Sequence, residues 1–372
     1  MTTKRIHFFR RGLAAAGLFV LWFLPLSTGA SGLKNDEQVV LYPALGRAVS
    51  GGWELQLHGI VYEPESHPLL AKFMRRALGI DDDKLSATEK RIFKQRSSYF
   101  LVDNERGKEF SVSLLGRTVP VGTSGANGHF EALAVFVSGE FQTGRAGAGL
   151  VLPVGIATQG GGKRELSLQV DLLPEEGLSV ISDIDDTIKI SEVRKRHEVV
   201  MNTFCRPFQP VPGMAGVYRQ WALDGARFHY VTASPWQLYL PLSEFTRSNG
   251  FPAGTFHMKS VRVKDTSFFN LFESPERYKT PVMEELLRQY PKRQWVCVGD
   301  SGEKDPEIYG ALRRKYPRQI QQIFIRDVTE EAPGSARYRE AFRDIPEGSW
   351  QVFEKPEEIK WTARPSPARI QR

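Results

Sequence analysis

Cysteine is almost missing from this chain: Cys205 and Cys297 are the only two among 372 residues. So few thiols exclude a disulfide-stapled secreted domain. Cys297 falls in the apolar run Trp295–Val298 and is expected as a buried strand residue, whereas Cys205, in a polar, proline-containing stretch, is expected to be free. Apolar runs of bilayer length are also lacking. Only Gly12 to Leu26 approaches one; it falls short of the ~20 residues that span a bilayer, and Pro25 interrupts it. Nor is there a strong excess of one charge. The formal charge is +7, and Lys4, Arg5, Arg10 and Arg11 account for four of it, so the rest of the chain carries 7 − 4 = +3. That is compatible with an anionic membrane or substrate and offers no argument for nucleic acid.

What is present begins with a basic region up to Arg11, the apolar run, and then the small residues Ser27, Thr28, Gly29 and Ala30. This order predicts a secretory signal peptide over residues 1–30, hence export to a periplasmic or extracellular space. An N-terminal membrane anchor is the alternative, and Arg10-Arg11 also permits a twin-arginine signal.

Residues 31–176 read as a β-rich accessory domain. In Trp53 to Val61, alternation puts Trp53, Leu55 and Leu57 on one face of a strand and His58 on the other, facing solvent. Leu69, Leu70, Phe73, Met74 and Leu78 then follow helical spacing, and Ser86-Ala-Thr-Glu89 is a capping-box signature opening a second helix. Asp81-Asp-Asp83 between them reads as a solvated loop, since the later ligands of a calcium loop are missing. Strand signals resume at Tyr99–Val102, Phe110–Leu115, Gly128–Val137, Gly149–Ile156 and Glu165–Leu173, separated by Gly-rich turns. The expectation is a β-sandwich-like domain with a helical insertion, carrying no cluster of chemical groups.

After a hinge at Pro174–Gly177 the grammar alternates strand and helix, predicting a doubly wound, Rossmann-like α/β domain over 177–348. Residues 349–372 read as a flexible basic tail. The stretch Leu178 to Val193 is the centre of the chemistry. An apolar strand runs into Asp183, Asp185, Asp186 and Thr187, and carboxylates so crowded repel one another unless a cation or a reaction needs them. Three further stretches would meet them: Phe228-His-Tyr-Val-Thr-Ala-Ser234, Lys279 opening a helix, and Gly299-Asp-Ser-Gly-Glu-Lys-Asp305.

This set fits metal-assisted phosphoryl transfer. Asp183 is expected as the nucleophile and Asp185 as the acid and base; Thr232 binds phosphoryl oxygens, and Lys279 meets the charge of the transition state. Asp183, Asp185, Asp300 and Asp305 are the candidate ligands of Mg2+. Asp186 braces the turn or a nearby water.

The ordered combination of Asp-x-Asp-x-Thr, strand-Thr, Lys and Gly-Asp-x4-Asp, with 300 − 279 = 21 residues between the lysine and the last motif, resembles the haloacid dehalogenase superfamily. Asp183-Ile-Asp-Asp-Thr-Ile-Lys-Ile-Ser191, Tyr230-Val-Thr-Ala-Ser-Pro-Trp-Gln-Leu-Tyr239 and Gly299 to Tyr309 are similar to the actin-patch-type phosphatidate phosphatases, relatives of the lipins. The similarity covers Leu178 to about Asp344; that around Asn127-Gly-His-Phe130 to the accessory domain of bacterial members is less specific. The resemblance implies magnesium-dependent conversion of phosphatidate to diacylglycerol. Thr232 stands where the family often has Ser. The alternatives are an exported phosphatase of soluble phosphate monoesters and a non-catalytic lipid-surface binding protein on a phosphatase scaffold.

Insertions such as Lys189–Phe208 cap the site in that superfamily, where Arg194, Lys195, Arg196 and His197 either meet a lipid headgroup or form a solvated helix face. Trp236, Leu238 and Tyr239 either touch acyl chains or pack their helix. The basic, aromatic stretch Phe256 to Tyr278, with Phe268 and Phe269, suits peripheral contact with an anionic membrane.

Overall fold

The computed structural model describes residues 31–65, 67–141, 149–260, 276–359 and 361. The expected export segment, and with it Phe268 and Phe269, lies outside the described residues.

The N-terminal half is built on β1 (Gln38–Leu41), β2 (Ala44–Val49), β3 (Gly52–Glu63), β4 (Asp103–Asn104), β5 (Glu109–Leu114), β6 (Arg117–Thr123), β7 (His129–Val137), β8 (Leu150–Ala157) and β9 (Lys163–Leu173). Helices α1 (Pro68–Ala77) and α2 (Ala87–Ser98) are inserted after β3. Strand β3 is the backbone of the unit, pairing antiparallel with β1, β2, β4 and β7. From β2 the ladder continues through β9, β8 and β5 to β6, and β6 lies back against β7. The nine strands are thus one hydrogen-bonded sheet curled around a single core containing Leu55, Leu57, Val112, Phe136, Val154 and Val170.

Several local readings change. Tyr99–Val102 is no strand: it leaves α2 through a turn, and Phe100 is buried against Phe204 of the other half, 5.5 Å between ring centroids. Its apolar residues answer a packing demand, not a pleat. Strand β6 escaped notice because only Val119 and Val121 are buried in it, and Pro120 sits on an edge strand that needs no second ladder. His58 does not face solvent. Its Nε2 lies 2.9 Å from Nδ1 of His129, and its ring meets Trp236 edge-on at 4.7 Å. The face expected to be wet is covered by the second half of the chain.

That half contains β10 (Leu178–Ser182), β11 (Lys189–Ile190), α3 (Arg196–Phe204), β12 (Gln209–Pro210), α4 (Met214–Leu223), β13 (Arg227–Pro235), α5 (Tyr239–Ser248), β14 (Gly254–Lys259), α6 (Glu276–Gln289), β15 (Gln294–Asp300), α7 (Asp305–Lys315), β16 (Ile320–Arg326), α8 (Ala336–Ala341) and β17 (Trp350–Phe353). Its sheet is parallel throughout, in the order β14-β13-β10-β15-β16-β17. Alternate strand residues serve two cores. Val180, Tyr230 and Val298 pack with α4 and α5, whereas Ile181, Val231 and Cys297 pack with α6, α7 and α8. The order reverses between β10 and β15, so their carboxyl ends flank a crevice. Residues 349–372 do not begin as a tail: Trp350–Phe353 is the edge strand, and Trp361 packs edge-on against Trp221 at 5.3 Å. Both cysteines are free and buried.

The hinge is held. Arg293, 1% exposed, donates to the carbonyls of Pro174 at 2.8 Å, Glu176 at 2.6 Å and Leu178 at 2.6 Å. Gly177 adopts φ +117 against that guanidinium, a conformation in which a side chain would be strained. Across the helical insertion, buried Arg96 donates to the Thr203 and Arg206 carbonyls at 2.7 and 2.8 Å, capping α3.

Candidate active site

Strand β10 is buried along its length and delivers Asp183 one residue beyond its end. Thr187 Oγ1 donates to Asp183 Oδ2 at 3.3 Å, and the Lys279 ammonium stands 2.9 Å from Oδ1. Lys279 comes from the first turns of α6, is fully buried, and also reaches Asp305 at 2.7 Å and Glu303 at 2.9 Å. Four carboxylates, those of Asp183, Asp300, Glu303 and Asp305, therefore gather around one ammonium, leaving 4 − 1 = 3 negative charges if all are ionised. Burial, reinforced by the neighbouring acids and only partly opposed by Lys279, pushes the Asp183 and Asp300 carboxyls well above the ordinary carboxylate range. Burial alone would lower the lysine, yet those acids hold it well above its usual range.

The loop after β15 is shaped around Asp300. Gly302 and Glu303 donate their N–H groups to its Oδ1 at 2.6 and 3.2 Å. A Cβ at Gly299 would lie 2.7 Å from Cβ of Asp305, so only glycine lets Asp305 tuck beneath the strand end. Arg337 on α8 secures the loop from behind, donating at 2.5 Å to the carbonyls of both Ser301 and Glu303.

Oxygens of Asp183, Asp300 and Glu303 lie within 4.8 Å of one another. Asp300 Oδ2 is buried without a hydrogen bond, and Asp183 Oδ1 meets the Lys279 ammonium, which it shares with Glu303 and Asp305. Hard oxygen donors, one of them unsatisfied and the group short of positive charge, fit a divalent cation such as magnesium.

Asp185 and Asp305, the other two candidate ligands, are engaged elsewhere. Asp305 bonds Lys279 and accepts from the Asp300 N–H at 3.3 Å. Asp185 Oδ1 faces the Lys189 ammonium at 2.7 Å and accepts from Ser191 Oγ at 2.6 Å; Oδ2 accepts from Ser234 Oγ at 2.9 Å and Thr232 Oγ1 at 3.3 Å. Burial works to raise its carboxyl, but Lys189 and these hydroxyls outweigh burial and hold it down at about 2. Asp186 turns into the left-handed region at φ 51 and accepts the N–H groups of Ser191, Glu192 and Val193 at 2.7, 2.9 and 2.7 Å, bracing the loop.

Lys189, Ser234 and Glu303 were missed in the sequence. All three lie inside motif stretches, but no residue type or spacing separates them from ordinary loop residues. A buried lysine is the sharpest signal in retrospect, at 1% exposure on a two-residue strand. Arg194, Lys195, Arg196 and His197 are exposed, while Trp236, Leu238 and Tyr239 are buried.

Residues 178–327 match the family described as the catalytic domain of phosphatidate phosphatase APP1. This segment is an APP1-type catalytic domain. Relatives of the chain include phosphatidate phosphatase APP1 of Saccharomyces cerevisiae, 31% identical over 164 residues, which is 40% of this chain and 26% of that protein. An uncharacterized protein of Schizosaccharomyces pombe is 32% identical over 171 residues, 45% of this chain and 28% of that protein. The chain thus spans just over a quarter of the length of these curated relatives.

Proposed function

We propose that this protein is a magnesium-dependent phosphatase of haloacid-dehalogenase-like fold that hydrolyses phosphatidate to diacylglycerol and phosphate through a phospho-aspartate. The observation that carries the reading is the gathering of Asp183, Asp300 and Glu303 beside Lys279, where the strand order reverses. The phosphatidate substrate is supported by the likeness to the yeast enzyme. An exported location rests on residues 1–30 alone.

Asp183, Asp300 and Glu303 would hold the magnesium, which when bound neutralises phosphoryl oxygens. The Asp183 carboxylate attacks phosphorus, and the ester P–O bond breaks as a proton carried in on the phosphate monoester passes through Asp185 to the departing alkoxide. Lys189, 2.7 Å away, holds Asp185 as a carboxylate before and after that relay. That carboxylate takes a proton from water, whose oxygen attacks phosphorus and returns Asp183. Lys279 offsets the phosphoryl charge, and Thr232 presents its N–H and hydroxyl to the phosphate.

Phosphate release from phosphatidate vesicles and from soluble esters, with and without magnesium, tests the reading. Release from phosphatidate that needs magnesium and vanishes in Asp183→Asn is expected. Activity retained in that variant refutes the phospho-aspartate, and release from soluble esters alone refutes the lipid substrate.

A further inference from the structure

Helix α1 turns most of its apolar residues outward. Leu69 is 84% exposed, Leu70 50% and Phe73 56%, and Met74 is the buried residue that holds the helix to the core. At 100° per residue Leu69, Phe73, Ala77 and Leu70 form one continuous strip, and exposed Lys72 and Arg76 flank its edge. From His67 to Ile80 the chain contains three cations, Lys72, Arg75 and Arg76, and no acid. Arg75 is engaged by Asp82 at 2.5 Å, whereas Lys72 and Arg76 are exposed and form no ion pair among the described residues, which suits them to meet an outside anion.

We propose that this face of α1 is a membrane-docking surface that lies in the interfacial layer of an anionic bilayer. An outward apolar strip bordered on one side by cations matches that layer, acyl chains taking the leucines and phenylalanine while phosphates meet the cations. Position supports it too. Helix α2, the partner of α1, grips α3 through Arg96; Asn202 of α3 donates to the Ser191 carbonyl at 3.1 Å, and Ser191 holds Asp185. The docking face and the catalytic loop are joined by one packed layer. Its purpose rests on the reading of the substrate as a membrane lipid.

The test uses the full chain with Phe73→Cys carrying an environment-sensitive fluorophore; Cys205 and Cys297 are buried, so the new thiol is the accessible one among the described residues. Vesicles of phosphatidylcholine with phosphatidylglycerol, free of phosphatidate, should shift the emission to the blue, and vesicles of phosphatidylcholine alone much less. Leu69→Ser with Leu70→Ser should weaken that response at least about tenfold while hydrolysis of p-nitrophenyl phosphate stays unchanged. No shift, or a shift untouched by the serines, overturns the proposal, as does a shift produced by raising protein concentration without vesicles, which assigns the face to a second copy. A vesicle response in a protein that releases no phosphate from phosphatidate upholds docking and refutes the lipid substrate.

Discussion

The Lys189 ammonium lies 2.7 Å from Asp185 Oδ1, giving the proposed acid and base its own cation apart from the Lys279 cluster. Two lysines thereby divide the acids into a pair, Asp185 with Lys189, and a cluster around Lys279. Lys189→Met is expected to lower turnover of a soluble ester by on the order of a hundredfold, since a misplaced acid and base loses much of its contribution. Removing one member of a buried pair costs up to about 3–5 kcal/mol, softened here by the Ser191, Ser234 and Thr232 hydroxyls. Urea unfolding measures the second effect; unchanged turnover in a folded variant would remove Lys189 from the mechanism.

The acids around Lys279 predict an unusual response to charge removal. Without metal, Asp300→Asn should be at least as stable as the parent, because burial and like charges already oppose ionisation there; one unit of such displacement corresponds to about 1.4 kcal/mol. Saturating magnesium should raise the thermal midpoint of the parent, by about 2.7 kcal/mol of stability at a hundredfold excess over Kd. In Asp300→Asn and Glu303→Gln that rise should shrink sharply. An equal rise in all three proteins would place the ion elsewhere.

Gly299→Ala brings a methyl group to 2.7 Å from Cβ of Asp305. Strain of this kind costs about 1–3 kcal/mol, and Asp305 must move to relieve it. Activity should fall further than stability, because that movement takes Asp305 from Lys279. Calorimetry beside kinetics gives the comparison, and a variant with parental kcat/KM contradicts it.

The His58–His129 pair makes the contact between the halves sensitive to acid. Burial holds His58 at about 3, with help from His129, and burial holds His129 at about 4. Both lie below the usual value near 6.5. The unfolded chain therefore binds protons first as pH falls, and stability should decline from about pH 6.5 toward pH 4, by at most about 1.4 kcal/mol per pH unit for each histidine. Replacing the pair with His58→Gln and His129→Gln should flatten that slope in urea titrations; an unaltered slope would assign the acid sensitivity to other groups.

Much of the second half is legible in one dimension. Asp183, Thr232, Lys279 and Asp300 each follow an apolar strand or open a helix, and the parallel order follows from alternation of the two. Strand β14 was not distinct in the sequence, and β17 was hidden in what read as a tail, since short edge strands carry few apolar residues. In the first half, His58 and Tyr99–Val102 were misread for a shared reason: their partners, Trp236 and Phe204, lie in the other half.

The sequence by itself determined which residue types stand at the strand ends, because local propensity and residue type are enough to set acids, a hydroxyl and a lysine there. Only the tertiary structure decided how the acids divide. Asp300 keeps an unsatisfied oxygen and with Asp183 meets Glu303, while Asp185 turns to Lys189 and Asp305 to Lys279. Charges choose partners by distance and burial, and those follow from packing between segments as far as 303 − 183 = 120 residues apart.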